Sequence, residues 1–175
     1  MAIDVDETAA AVLPDFEDFF RATFPQVAGA AALVTRDSGT GQELAQEAFF
    51  RLYERWSRMQ TAEHARRFAF RVAINLARSH LRKHLRVSLA GLDPSVTRTD
   101  AGLSPSDDWL VIRDALGALS ARQRAAVVLI DYVDMDALEA GEVLGISPAT
   151  VRTHLMRGRR DLRRRLHLLP QEDQA

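Results

Sequence analysis

Apolar positions recur at steps of three and four along most of the chain, the period of helices that bury one face. Phe16, Phe19 and Phe20 open the first such pattern, just after Pro14, a residue suited to a first helical turn. Pro25 predicts a break or kink there, because proline lacks the N–H and its ring crowds the preceding turn. Asp37-Ser38-Gly39 reads as a turn, after which Thr40 and Glu43 have capping-box spacing and predict a helix to about Trp56. Its apolar stripe is Leu44 or Ala45, then Ala48, Leu52 and Trp56. A third helix is predicted over 62–86. There Phe70, Ile74, Ala77, Leu81 and Leu85 make a buried stripe, and Arg67, Arg71, Asn75, Arg78, Arg82 and Arg86 make a basic stripe beside it.

Periodicity stops after that helix, where Gly, Pro, Ser, Thr and Asp collect in a linker. Four helix-start signals follow: Ser106 before Asp107 and Asp108, Ser120 with Gln123, Asp136 with Glu139, and Ser147-Pro148. The pattern predicts an all-α fold of two small helical domains joined by a flexible linker. Its parts are an N-terminal tail at 1–13, a domain at 14–87, the linker at 88–106, a second domain at 107–168 and a tail at 169–175. No segment reads as a strand.

The net charge of −1 conceals an uneven distribution. From Gln46 to Arg86 there are ten Arg or Lys against three acids, and from Ser147 to His167 seven Arg against one Asp. Acidic ground separates these basic islands, which argues for two local nucleic-acid surfaces and against a uniformly basic binder. The sequence has no cysteine, which excludes disulfides, thiolate metal sites and a cysteine nucleophile. No apolar run is long enough to span a bilayer and the acidic start lacks a signal-peptide charge pattern, so a cytoplasmic location without membrane insertion is expected.

Candidate chemistry concentrates in two places. Residues 136–165 have helix-turn-helix grammar: a short helix, a turn at Gly145-Ile146-Ser147 with Ile146 placed to plug between the helices, and a long second helix. On that helix Val151, Leu155, Gly158, Leu162 and Leu166 point inward. Arg152, Thr153, Met156, Arg157 and Arg160 point outward, within reach of base edges and phosphates. The basic stripe of the third helix is less specific, since a row of arginines is usually a solvated face. Asn75 within it, with Trp56, Phe68 and Phe70 at or before the helix start, suits unstacked single-stranded bases, although Phe68 and Phe70 are equally suited to a core.

Three segments, in order, resemble a known family. QELAQEAFFRLY at 42–53, FAFRVAINLARSHLR at 68–82 and the stretch from Leu116 to Arg165 are similar to the extracytoplasmic-function sigma factors of the sigma-70 class. The likeness implies a non-enzymatic transcription initiation factor with no cofactor. Glu43, Gln46, Glu47, Phe50, Arg51 and Glu54 would meet the clamp helices of the polymerase largest subunit, with a further contact to the flap region. Trp56, His64, Arg67, Arg71, Asn75, Arg78 and Arg82 would hold and read the minus-10 element. Ser147, Ala149, Thr150, Arg152, Thr153, Met156, Arg157 and Arg160 would bind the minus-35 element as duplex. The linker would occupy the RNA exit path, and an anti-sigma protein is a further candidate partner. Phe68, Ile130 and Gly141 depart from the family pattern; glycine in a helix costs about 1 kcal/mol against alanine, which predicts a weakened first helix in the helix-turn-helix.

The main alternative is an ordinary helix-turn-helix regulator whose N-terminal half dimerises or senses a ligand, but 16–86 shows no receiver-like alternation of strands. A metal-dependent hydrolase built on His80 and His84 lacks both HExxH and a carboxylate cluster, so no metal site is expected.

Overall fold

A computed structural model describes residues 13–89 and 107–167. In order, the helices are α1 (Phe16–Thr35), α2 (Ser38–Tyr53), α3 (Ala62–Leu89), α4 (Asp107–Gly117), α5 (Ala121–Val127), α6 (Ala137–Leu144) and α7 (Pro148–His167). A 3-10 turn at Trp56–Arg58 leads into α3, and α5 runs on into a π-helical turn at Val128–Tyr132. The fold is all-α, with no strand among the described residues. The linker expected at 88–106 falls outside the described residues from position 90 on, as do Ser106 and the tail at 169–175.

The caps explain where most helices begin. Ser120 and Asp136 each accept from the third residue of their helix while Gln123 and Glu139 return the bond, so both predicted capping boxes are present. Ser147 Oγ accepts from Thr150 N at 3.2 Å and starts α7. Two predicted boundaries need correction. Pro25 lies inside an unbroken α1: its ring is exposed, and Val27, Ala30, Ala31 and Val34 beyond it are fully buried. Burying that stripe outweighs the roughly 3 kcal/mol that proline costs in a helix interior. Helix α2 is capped by Asp37, which accepts from Thr40 N at 2.6 Å, so it opens at Ser38 and buries Thr40 in its first turns. Trp56 lies past its end, in the 3-10 turn.

Helices α1, α2 and α3 pack around Val27, Val34, Leu52, Phe70 and Ile74, all fully buried. An aromatic cluster closes one end, with Trp56 5.1 Å from both Phe16 and Phe19, and Phe20 5.0 Å from Phe49. On α3 the predicted stripe holds at Phe70, Ile74 and Ala77, while Leu81 is half-buried and the Leu85 side chain is outside the described ones. Ala65, Ala69 and Ala73 are also fully buried.

The side of α3 that carries Arg67 and Arg78 is covered by the C-terminal helices. Leu129, Val133, Val143 and Val151 belong to the same continuous core as Val27 and Ile74, so the two helical regions share one interior. The seam is tight at Gly29, where an added Cβ would stand 2.1 Å from the Tyr132 hydroxyl. It is tied by Arg124, which is buried and donates to the carbonyls of Leu116 at 2.9 Å, Val34 at 2.8 Å and Leu119 at 3.0 Å. Burial, with Arg36 nearby, pushes its pKa down to about 10.

Candidate nucleic-acid interface

The helix-turn-helix is built by α6 and α7. Gly145 ends α6 with φ at +68°, a left-handed conformation that suits glycine, and Ile146 N donates to the Gly141 carbonyl at 3.0 Å. Ile146 packs half-buried against the core. Gly141, which reads in the sequence as a weak point of α6, is what allows this turn: a Cβ there would meet the Ile146 carbonyl oxygen at 2.8 Å.

Helix α7 is held from below by buried Val151 and Gly158 and half-buried Leu155 and Leu162. Leu166 departs from the predicted inward stripe at 48% exposure, because the helix runs past its supports. Gln123 Nε2 donates to Asp161 at 3.0 Å, and Arg159 pairs with Asp131 through its Nε at 3.2 Å and its Nη2. Arg159 is thereby taken up in orienting the helix, and its pKa is raised by that bond. Ser147, Ala149, Thr150, Arg152, Thr153, Met156, Arg157 and Arg160 are all exposed. Within this set, the Ser147 and Thr150 hydroxyls lie 2.8 Å apart in the cap, and Thr153 bonds back to the Ala149 carbonyl at 3.0 Å. Arg152, Met156 and Arg157 remain as long side chains facing outward, Met156 at 65% exposure.

Helix α3 presents the second basic surface. Arg71, Asn75 and Arg82 are exposed on it, and His64 is exposed in its first turn, which Thr61 caps through Oγ1 at 3.1 Å from His64 N. Trp56 is half-buried among Phe16 and Phe19, and Phe68 carries the Arg55 guanidinium 5.4 Å over its ring. Arg67 and Arg78 are half-buried against α6. Burial, then Arg82 and Arg122, lowers the pKa of Arg78. His154 on α7 is likewise lowered by burial and by Arg122, Arg157 and Arg78, which keeps it neutral near pH 7. Cations of α3, α5 and α7 therefore converge on one field, a surface suited to polyanions.

A third surface lies on α2. Glu43, Gln46, Phe50, Arg51 and Glu54 are exposed and Glu47 is half-buried, its carboxylate bonded to Arg51 Nε at 2.7 Å. Phe50 is 61% exposed and Tyr53, which pattern reading passed over, is 62% exposed. Spacing of three on one helix was the available signal: it puts two exposed rings on one side of α2, apolar surface of the kind that marks a protein contact. Among the described residues no three His, Asp or Glu gather as metal ligands; the His80 and His84 rings simply face each other at 4.3 Å.

The chain matches the Sigma-70 region 2 family over residues 19–87 and the Sigma-70 region 4 family over residues 109–162. It is 27% identical over 150 residues to RfaY of Xanthomonas campestris pv. campestris, named as an RNA polymerase sigma factor; the match covers 80% of this chain and 37% of RfaY. Against the ECF RNA polymerase sigma factor SigM of Mycobacterium tuberculosis it is 26% identical over 172 residues, covering 95% of this chain and 86% of SigM. The fold matches that of the sigma factor RpoE from Bartonella quintana, solved in complex with the anti-sigma factor NepR, with a TM-score of 0.73 at 20% identity, covering 89% of this chain and 99% of RpoE. Two region matches in the family's order, joined to a basic helix at 62–89 and a helix-turn-helix at 137–167, place this chain in the sigma-70 family, in its extracytoplasmic-function group.

Proposed function

We propose that the protein is a sigma factor that binds core RNA polymerase and directs promoter recognition, DNA opening and transcription initiation. The observation that carries this reading is the pairing of two exposed nucleic-acid surfaces on one chain, Asn75 with Arg71 and Arg82 on α3, and Arg152 with Met156 and Arg157 on α7. A basic helix with an exposed amide suits an unstacked strand, and a recognition helix with outward arginines suits duplex in the major groove. The first surface is assigned to the minus-10 element and the second to the minus-35 element. The α2 patch around Phe50 and Tyr53, rimmed by Glu43, Gln46, Glu47, Arg51 and Glu54, is assigned to the polymerase clamp helices, with the flap region as a second polymerase contact.

The protein acts by binding and has no catalytic step of its own. It works in the cytoplasm beside the polymerase, and no helix among the described residues is long and apolar enough to cross a membrane. A regulator that ignores polymerase is disfavoured, because its N-terminal half would have no use for a region 2 sequence. The sigma factor RpoE, of similar fold, was solved with the anti-sigma factor NepR, so an anti-sigma protein belongs among the proposed partners. The test is transcription from a genomic library by core polymerase with this protein, alongside co-elution of Phe50→Asp with core. Specific start sites with the native chain and loss of co-elution with the variant are expected. Co-elution that survives Phe50→Asp would detach the α2 patch from polymerase binding.

A further inference from the structure

Arg122 on α5 belongs neither to the two DNA surfaces nor to the α2 patch. It is exposed, and the packing of three helices fixes what it faces. Helices α5 and α7 meet at Gly158, where an added Cβ would stand 2.8 Å from Val127 Cγ2 and 3.5 Å from the Gln123 carbonyl oxygen, and Gln123 Nε2 is bonded to Asp161 at 3.0 Å. Half-buried His154 lies one turn before Gly158, so Arg122, next to Gln123, acts on it from across the junction. Helix α3 closes the third side. Ile74 and Val151 share one core, and Arg78 and His154 each follow them by about one turn. Arg78 Nη1 donates to the Leu144 carbonyl at 3.4 Å, which orients the guanidinium while its other N–H groups make no further bond among the described residues.

Arg82, one turn along α3 from Arg78, and Arg157 on α7 add two exposed cations to the junction. Among the described residues no carboxylate pairs with Arg78, Arg82, Arg122 or Arg157. The groups feel one another: after burial, Arg82 and Arg122 lower the pKa of Arg78, and Arg122, Arg157 and Arg78 lower that of His154. Cations gathered without a counter-charge repel, and an anion seated among them relieves that repulsion. We propose that the junction of α3, α5 and α7 is a binding site for a small polyphosphate, a di- or triphosphate chain, with Arg78, Arg122 and His154 at its centre and Arg82 and Arg157 at its rim. Guanidinium forks from different helices match the oxygens of successive phosphoryl groups, which a single phosphate does not span. Arg122 and His154 lie outside both DNA surfaces, so the site is tested apart from promoter reading.

The test titrates the full chain with inorganic triphosphate and with adenosine triphosphate, without magnesium and at an ionic strength held constant with sodium chloride. Calorimetry reads binding, and the imidazole proton signal of His154, identified by its loss in His154→Gln, reads the site. One ligand per chain is expected, with the His154 pKa moving up on binding because the anion offsets the neighbouring cations. Arg122→Ala is expected to weaken binding about tenfold, and Arg164→Ala, an equal loss of charge at an exposed position late in α7, less than about twofold. Arg122→Lys keeps the charge without the fork and is expected to lose about threefold, so a folding defect in the alanine variant leaves the test standing. The two ligands separate the sources: tighter binding of adenosine triphosphate gives the site to a nucleotide, and otherwise it belongs to the free phosphate chain. Equal weakening by Arg122→Ala and Arg164→Ala, or a His154 signal that binding does not move, means diffuse attraction and overturns the site. Arg122→Ala that weakens a mixed-sequence duplex tenfold, while triphosphate leaves His154 unmoved, hands the cluster to the DNA backbone and overturns it as well.

Discussion

Replacing Arg124 with methionine keeps an unbranched apolar stem in the seam and deletes the guanidinium that joins it. Three bonds disappear, to Leu116 O, Val34 O and Leu119 O, all between 2.8 and 3.0 Å. Bonds from a charged donor contribute about 1.5–3 kcal/mol each, and a carbonyl left buried and unpaired adds to the loss. Against this, the charge resists burial. Its pKa is pushed down to about 10, which corresponds to a relief of about 3 kcal/mol when the charge is removed. The balance is a net loss of about 2–5 kcal/mol, or a fall in Tm of about 5–15 °C for a chain of this size. Circular dichroism melts at neutral pH, checked by calorimetry, measure it. The native state binds this proton less tightly than the unfolded chain, so the burial penalty is fully present at neutral pH. It is relieved only as pH rises through about 10, and the gap between the two proteins should stay flat below about pH 9. A Tm within 2 °C of the native value would mean that the three carbonyls find other donors and that Arg124 does not join the regions.

Asn75→Ala should leave Tm within a few degrees, since Asn75 is exposed, yet reduce promoter opening by about 1–3 kcal/mol in permanganate footprinting; a collapse of Tm with intact opening would make it a structural residue. Arg152→Ala should cost about 1–3 kcal/mol of minus-35 binding and relax base choice at one or two positions. Arg160→Ala should instead weaken all sequences alike and make the salt slope about one unit shallower; binding of the full chain to minus-35 variants across salt concentrations separates the two. Gly141→Ala should destabilise by about 1–3 kcal/mol, the reverse of its helix propensity, because its Cβ meets the Ile146 carbonyl; a rise in Tm on thermal melting would refute that.

Local grammar was legible at three helix starts of the C-terminal region. Ser120, Asp136 and Ser147 mark helix starts at sequence distances of two or three residues, and all three are where the spacing put them. Pro25 misled because burial of Val27 and Val34 overrules it, and Thr40 misled because Asp37, three residues earlier, is the cap. The outward residues of α7 were legible because helical period alone fixes which side of a supported helix faces water. The contacts between regions were not. They use backbone carbonyls at 34, 133 and 144, which carry no hydropathy signal. Arg124 looked like one more arginine in an arginine-rich chain, and nothing nearby in sequence shows that its partner is Val34, 90 positions earlier.

Those separations have a meaning during synthesis. The bonds from Arg66 to Val133, from Arg78 to Leu144 and from Arg124 to Val34 close over 67, 66 and 90 residues, so the N-terminal helices exist before anything can cover them. At roughly 5–20 residues per second, translation leaves α3 uncovered for about 3–15 s on every new chain. In that interval α1 to α3 have only each other to pack against, and Gly29, the Val34 carbonyl and the Arg66 and Arg78 side chains lack their later C-terminal partners. A factor that captures the nascent chain meets these groups before those partners are made, whereas one that arrives after release finds them bonded.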